Sequence, residues 1–117
     1  MTPAALRKFA LSIAEAHEEP HFERTSFRVG KKIFATITRD GSEAMVKLPV
    51  ADDAEALIAS DPEVFFSYGV WTTKNGALGV RLKLVKAVVM LRLVSEAWAT
   101  IAPKRAQGTS TKARKHA

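Results

Sequence analysis

Two histidines and three glutamates fall within one short segment of the chain: His17, Glu18, Glu19, His21 and Glu23. Imidazole and carboxylate groups are the side chains through which many metal sites bind their ion, provided that several converge on one point. Pro20 interrupts the helical register that would align them. We therefore interpret the segment as a solvated loop in which His21 packs under Phe22 or hydrogen-bonds to the backbone, and we predict no metal and no other cofactor.

Hydrolytic chemistry has little support in the sequence. The chain contains no cysteine, which excludes a thiol nucleophile, a thiolate metal site and a disulfide framework. No serine has the glycine-flanked context of a nucleophile elbow. The paired acids Asp52 and Asp53 stand where a helix begins, and the helix dipole accounts for them. Residues 76–79 lack the Lys-Ser/Thr of a phosphate loop, so we expect a binding protein, not an enzyme.

Charge is segregated along the chain, and the net formal charge is +6. Five of the 18 basic residues lie in a stretch without any acid: Lys104, Arg105, Lys112, Arg114 and Lys115. Residues 1–103 are therefore nearly neutral in sum. Their own cations nevertheless concentrate in residues 24–51 and 74–92, and such segregation favours an acidic partner.

Eight of these cations form the candidate nucleic-acid-binding set: Arg24, Arg28, Lys31, Lys32, Lys47, Lys74, Arg81 and Lys83. Strand alternation that turns Phe27, Val46, Val80 and Leu82 inward places Arg28, Lys47, Arg81 and Lys83 on the opposite sheet face. Phosphate neutralisation requires clustered cations, and the nearby aromatic residues Phe22, Tyr68 and Trp71 offer rings on which bases can stack. The competing interpretation is a solvated face with those rings packed at its rim.

The elements that position these residues follow from periodicity and turn residues. Thr2 and Pro3 read as the N-cap and first residue of a helix that ends near Ala16. The predicted strands cover residues 25–29, 32–39, 43–48, 64–68 and 78–83, with hairpin turns at Gly30-Lys31 and Asp40-Gly41. A short helix follows Asp52 with Leu57 and Ile58 on its buried side, and residues 71–76 are predicted to be an irregular loop.

The last predicted helix spans residues 85–102, with an apolar stripe made of Leu84, Val88, Leu91, Val94, Trp98 and Ile101. Val89, Met90 and Leu93 widen that stripe beyond what one sheet face requires. This excess predicts, as the alternative to nucleic-acid binding, a protein-interaction module or weak homodimer that uses the last helix.

The order of elements predicts an α+β protein in which helices pack on one face of an antiparallel sheet. We expect a single domain over residues 1–105 and a disordered basic tail over residues 106–117. No signal peptide is evident, and the most apolar stretch, residues 84–94, is too short to cross a bilayer. We therefore expect a cytoplasmic protein that does not bind membranes.

Several sequence blocks, in order along residues 3–105, resemble the MmcQ/YjbR-like family. They are EEPHFERTSFRVGKKIFA at residues 18–35, Val46-Lys47-Leu48, DPEVFF at residues 61–66, Glu96-Ala97-Trp98 and APKR at residues 102–105. The resemblance implies a compact fold of the CyaY/frataxin-like group, a DNA-binding role and no assigned enzymatic activity. The chain departs from the family pattern at Lys83 and Lys86, where the family tends to place an acid. Cations there oppose the dipole of the last helix and leave its start open.

Overall fold

The computed structural model describes residues 1–102, which form four helices and six strands. In chain order these are α1 (Pro3–Ser12), β1 (Ala16–His21), β2 (Arg24–Val29), β3 (Lys32–Thr38), β4 (Glu43–Lys47), α2 (Ala51–Ser60), β5 (Phe65–Phe66), α3 (Val70–Lys74), β6 (Ala77–Arg81) and α4 (Ala87–Ile101). The predicted α+β class is confirmed.

All six strands of the described chain join one antiparallel sheet in the order β1-β2-β3-β4-β6-β5. The first four strands form a meander, and its two predicted hairpin turns contain Gly30 (φ +61°) and Gly41 (φ +76°). Glycine adopts this left-handed conformation without a steric penalty. These turns set the starting register of β2 against β3 and of β3 against β4, and an irregularity between Phe27 and Arg28 then shifts the β2–β3 register.

One face of the sheet forms the core together with α1, α2 and α4. Phe27, Ala35, Val46 and Leu78 lie opposite one another across four neighbouring strands, and each is fully buried. Leu6 and Ala10 from α1 and Ala54 from α2 complete this core. The predicted inward positions Val80 and Leu82 are also confirmed, because both are buried. The opposite face is called the outer face below.

Helix α4 packs against the sheet through a different set of residues from the predicted apolar stripe. Its buried residues are Met90, Leu93, Val94, Ala97 and Trp98, and Nε1 of Trp98 donates a hydrogen bond to the carbonyl oxygen of Ala14 at 3.0 Å. Val88, predicted to be buried, is 73% exposed. Because apolar residues occupy so many positions of this helix, the sequence is compatible with burial of more than one helix face. Of the three residues on which the interaction alternative rested, Met90 and Leu93 are buried within the fold and Val89 is half-buried.

Two predicted loops are wrong. Helix α1 ends at Ser12, and residues 16–21 form β1, an edge strand paired with β2. Proline is tolerated in an edge strand because one side of that strand pairs with no other strand, so the N–H that proline lacks is not needed there. Residues 70–74 form the short helix α3, whose Thr73 is buried. In α2 the fully buried residue is Ala54, whereas Leu57 and Ile58 are half-buried.

The helix start that Lys86 left open is now defined. Helix α4 begins at Ala87, with Lys86 in the N-cap position and no side-chain cap hydrogen bond. No helix within residues 1–102 is both long enough and apolar enough to cross a membrane. The predicted disordered tail at residues 106–117 lies outside the described residues.

The contact between Phe66 and Gly79 generates a stability prediction. The two residues are register partners, and a Cβ on Gly79 would overlap the Phe66 ring. We expect Gly79→Ala to lower the free energy of unfolding by about 1–3 kcal/mol, the usual cost of overpacking. Urea unfolding measures this cost, and the same substitution in a Phe66→Ala background provides the control. An equal cost in both backgrounds would show that the ring contact is not its origin.

The turn between β3 and β4 generates a pH prediction. The Asp40 carboxylate accepts hydrogen bonds from the Ser42 backbone N–H, the Ser42 hydroxyl and the Thr38 hydroxyl, and these lower its pKa to about 2. Because the folded-state pKa is depressed, the charged form stabilises the fold above the unfolded-state pKa near 4, and this contribution is lost as pH falls towards 2. Asp40→Asn should therefore lower Tm at pH 7, with a difference that narrows below pH 4. A difference independent of pH in thermal melts from pH 7 to pH 2.5 would contradict the assignment.

Candidate functional site

The outer face carries a row of register partners that runs across the sheet: Ser26, Thr36, Met45, Gly79 and Phe66. Most of these side chains are small, so the chain that follows β5 can fold over them. The Phe66 ring lies on Gly79, and Tyr68 packs against Phe66 with ring centroids 5.1 Å apart. Thr36 is consequently buried, although it is polar and lies on the outer face.

Arg24 joins the segment after β5 to the sheet. Its Nη1 donates hydrogen bonds to the hydroxyls of Thr36 (3.2 Å) and Tyr68 (3.1 Å). The guanidinium carbon also stands 5.1 Å from the centre of the Tyr68 ring, within range of a cation–π interaction. Part of the Arg24 charge is thus committed to holding Tyr68 in place.

Beside this segment lies an open groove of about 1130 Å³. Its charged lining residues are Arg24, Lys31, Lys32, Lys47 and Glu23. Its remaining lining residues are mostly apolar or aromatic: His21, Phe22, Ile33, Thr36, Met45, Tyr68, Thr72, Ala77, Thr100 and Ile101. Four cations therefore face one acid across a largely apolar surface.

The structure divides the eight predicted cations into two groups. Arg24, Lys31, Lys32 and Lys47 line the groove, and the three lysines are exposed. Arg28, Lys74, Arg81 and Lys83 do not line it. Lys74 and Lys83 are exposed elsewhere on the surface.

Arg28 holds the edge of the sheet together. Its Nε donates to the Ser26 hydroxyl at 2.8 Å, and its Nη2 approaches the Pro20 carbonyl oxygen at 3.4 Å. The pKa of the Glu19 carboxyl is lowered, chiefly by a hydrogen bond from His17 and to a smaller extent by the Arg28 charge. Through its hydrogen bonds, the Arg28 guanidinium therefore joins β1 to β2.

Arg81 also has a structural role. Its Nη1 donates to the carbonyl oxygens of Glu63 (3.1 Å) and Pro62 (3.3 Å), which lie just before β5. The guanidinium carbon is 4.7 Å from the centre of the Phe66 ring. These contacts hold the start of β5 and the ring that covers Gly79, so Arg81 helps to shape the outer face.

The three predicted stacking residues separate in the same way. Phe22 and Tyr68 line the groove, but Trp71, which is 76% exposed on α3, does not. Phe22 occupies the turn between β1 and β2 with φ +57° and is 92% exposed. Its ring meets His21 edge-on, with centroids 4.7 Å apart.

The sequence did not identify the apolar lining as part of a site. Ile33, Met45 and Ala77 lie on three different strands, and Ile101 is at the end of α4. Alternation indicated that Met45 points outward, and this is the one signal the sequence offered. The approach of α4 to the groove depends on tertiary packing and leaves no local trace.

The histidine and glutamate segment forms strand β1, not the predicted loop. His17 Nε2 and Glu19 Oε2 are 2.5 Å apart, while Glu18 bonds to Arg7 Nε at 2.7 Å. Alternate residues of a strand lie on the same face, so His17 and Glu19 come together although Pro20 prevents a helix here. Within residues 1–102, no group of three or more His, Asp or Glu side chains stands close enough to hold a metal ion.

Comparisons with known proteins bear on the family and the fold. A sequence model described as YjbR matches residues 11–100. The crystal structure of the Deinococcus radiodurans protein DR2400, which carries a DUF419 domain, superposes with a TM-score of 0.75 at 20% sequence identity, over 88% of this chain and 80% of that one. At this identity the likeness shows a shared fold alone. No curated protein matches the chain.

Proposed function

The chain belongs to the YjbR family, and from the groove on its outer face we propose that it binds nucleic acid, with DNA as the expected ligand, in the cytoplasm. The observation that carries this proposal is the clustering of Arg24, Lys31, Lys32 and Lys47 around one groove that, among residues 1–102, is lined by a single acid, Glu23. Four cations along one groove can neutralise several phosphates of one chain and release their counterions.

The types of cation indicate how specific such binding is. Lysine presents a flexible point charge, whereas arginine presents a planar fork that matches base edges and phosphates in two places at once. Arg24, the one arginine among the described residues that line the groove, already donates to Thr36 and Tyr68. The groove therefore favours phosphate contacts and weak sequence preference, because phosphate contacts position a nucleic acid without reading its bases.

The proposal assigns binding without catalysis. Among residues 1–102, Glu23 is the one carboxylate and His21 the one imidazole that line the groove, and they form no hydrogen bond with each other: His21 packs against Phe22, and its Nδ1 lies 3.5 Å from Arg28 Nη2. General acid–base catalysis requires a group held within hydrogen-bonding distance of the proton that it transfers. The exposed lysines suit attraction of a polyanion better than proton transfer.

We expect the triple substitution Lys31→Ala, Lys32→Ala and Lys47→Ala to weaken DNA binding at low salt by at least about tenfold. The slope of log K against log salt should also fall by about 0.9 for each phosphate that the variant no longer neutralises. Fluorescence anisotropy across a salt series measures both quantities. All three side chains are exposed, so the fold should tolerate the changes at a cost of about 0.5 kcal/mol each.

Two control variants separate the groove from charge in general. The substitutions Lys8→Ala, Lys83→Ala and Lys86→Ala remove the same charge from exposed sites outside the groove. Replacing Lys112, Arg114 and Lys115 by alanine removes it from the basic tail, which should lower the salt slope by the equivalent of about three phosphates at most. If the groove variant retains wild-type affinity, or binds no more weakly than the Lys8/Lys83/Lys86 variant, the groove is only a solvated surface.

Self-association is the second candidate, and we propose it on a different surface from the one the sequence indicated. Val70 and Trp71 are adjacent on α3, and both are largely exposed. Exposed apolar patches often mark contact surfaces. We expect light scattering after size exclusion to show a concentration-dependent dimer that Trp71→Ala weakens. A monomer at all concentrations would eliminate this candidate.

A further inference from the structure

The groove has two chemically different ends. Lys31 and Lys32 lie at the turn between β2 and β3, whereas Phe22 lies at the turn between β1 and β2. These turns stand at opposite ends of the six-residue strand β2, which spans about 20 Å at the usual rise per residue. A ligand that fills the groove therefore meets Lys31 and Lys32 at one end and, at the other, the Phe22 ring beside Glu23 and Arg24.

Phe22 combines a strained backbone conformation with a side chain that packs little against the rest of the fold. A bulky residue with positive φ is a genuine conformational outlier, and Phe22 has φ +57°. Its side chain is 92% exposed, so the ring gains little from packing. Strained residues of this kind concentrate at functional sites, and here the ring lines the basic groove.

The apolar lining distinguishes between the two forms of nucleic acid. Ile33, Met45 and Ala77 offer no hydrogen-bonding side-chain group to a phosphate, and together with Tyr68 they line the groove. A duplex keeps the faces of its bases stacked inside, so it would leave this surface and the Phe22 ring without a partner. A single strand presents base faces that stack on aromatic side chains while cations contact its backbone.

We propose that the groove binds single-stranded nucleic acid in preference to duplex, with phosphates at Lys31, Lys32 and Lys47 and a base stacked on Phe22. This inference rests on the proposed function and adds the form of the ligand. Charge complementarity selects a polyanion, and the exposed ring selects one whose bases are accessible.

The test uses the full chain and three labelled probes of equal length: a DNA single strand, the same strand in a duplex, and a strand of abasic sites. We expect the single strand to bind most tightly. Phe22→Ala should weaken its binding by at least about fivefold, the lower range for removal of one stacked base, and Phe22→Trp should restore it. The abasic strand and the duplex should bind both variants equally. Val88→Ala, which shortens an exposed apolar side chain outside the groove, should change none of these affinities.

Thermal unfolding of Phe22→Ala should match the wild type, because the ring that it removes is almost entirely in solvent. Duplex binding as tight as single-strand binding, or a Phe22→Ala affinity equal to wild type, would overturn the inference. The proposed function would then stand if the Lys31/Lys32/Lys47 variant still weakened binding. Failure of the wild-type chain to bind any of the three probes would overturn the proposed function as well.

Discussion

The ring of Phe66 lies on Gly79, and the position of the groove depends on this contact. Because Gly79 has no side chain, the segment after β5 can approach the sheet and place Tyr68 beside Arg24. Arg81 holds the approach to β5 through the carbonyl oxygens of Pro62 and Glu63. Part of the outer face is thereby covered, and the remainder, bounded by Tyr68 and the β2–β3 turn, becomes a groove. A larger residue at position 79 would move the ring and with it one wall.

The cations of the outer face divide by chemistry as well as by place. Arg24, Arg28 and Arg81 donate hydrogen bonds within the protein, and a planar guanidinium suits this task because it satisfies several acceptors at once. Within residues 1–102, the side chains of Lys31, Lys32 and Lys47 make no hydrogen bond or ion pair. The arginines therefore shape the surface, while the lysines supply the charge that a polyanion would meet.

Local sequence signals predicted much of the fold. The clean alternation of β4 and β6 identified Ala44, Val46 and Val80 as core residues, and the sequence resemblance identified the family.

Prediction failed where tertiary contacts, and not the local sequence, determine the structure. Pro20 argued against regular structure, yet an edge strand accommodates it, and the many apolar residues of α4 left its phase ambiguous. Alternation also assigned Arg28 and Lys47 to one face, but it does not tell which side chain is bound internally. That distinction depends on partners such as Ser26, which bonds to Arg28.

The turns of the sheet offer an internal comparison for Phe22. Gly30 and Gly41 take the left-handed conformation in the next two hairpins, and glycine there removes the strain. Among described residues, only Glu15 and Phe22 adopt positive φ without being glycine, and Glu15 is polar and suited to a solvated turn. A phenylalanine at the β1–β2 turn lacks the conformational freedom of glycine, and its exposed ring does not offset the strain by packing. Folding alone gives no reason for it. A ligand with an accessible aromatic face would stack on this ring at the rim of the basic groove and complete its packing, which accounts for a phenylalanine at this turn.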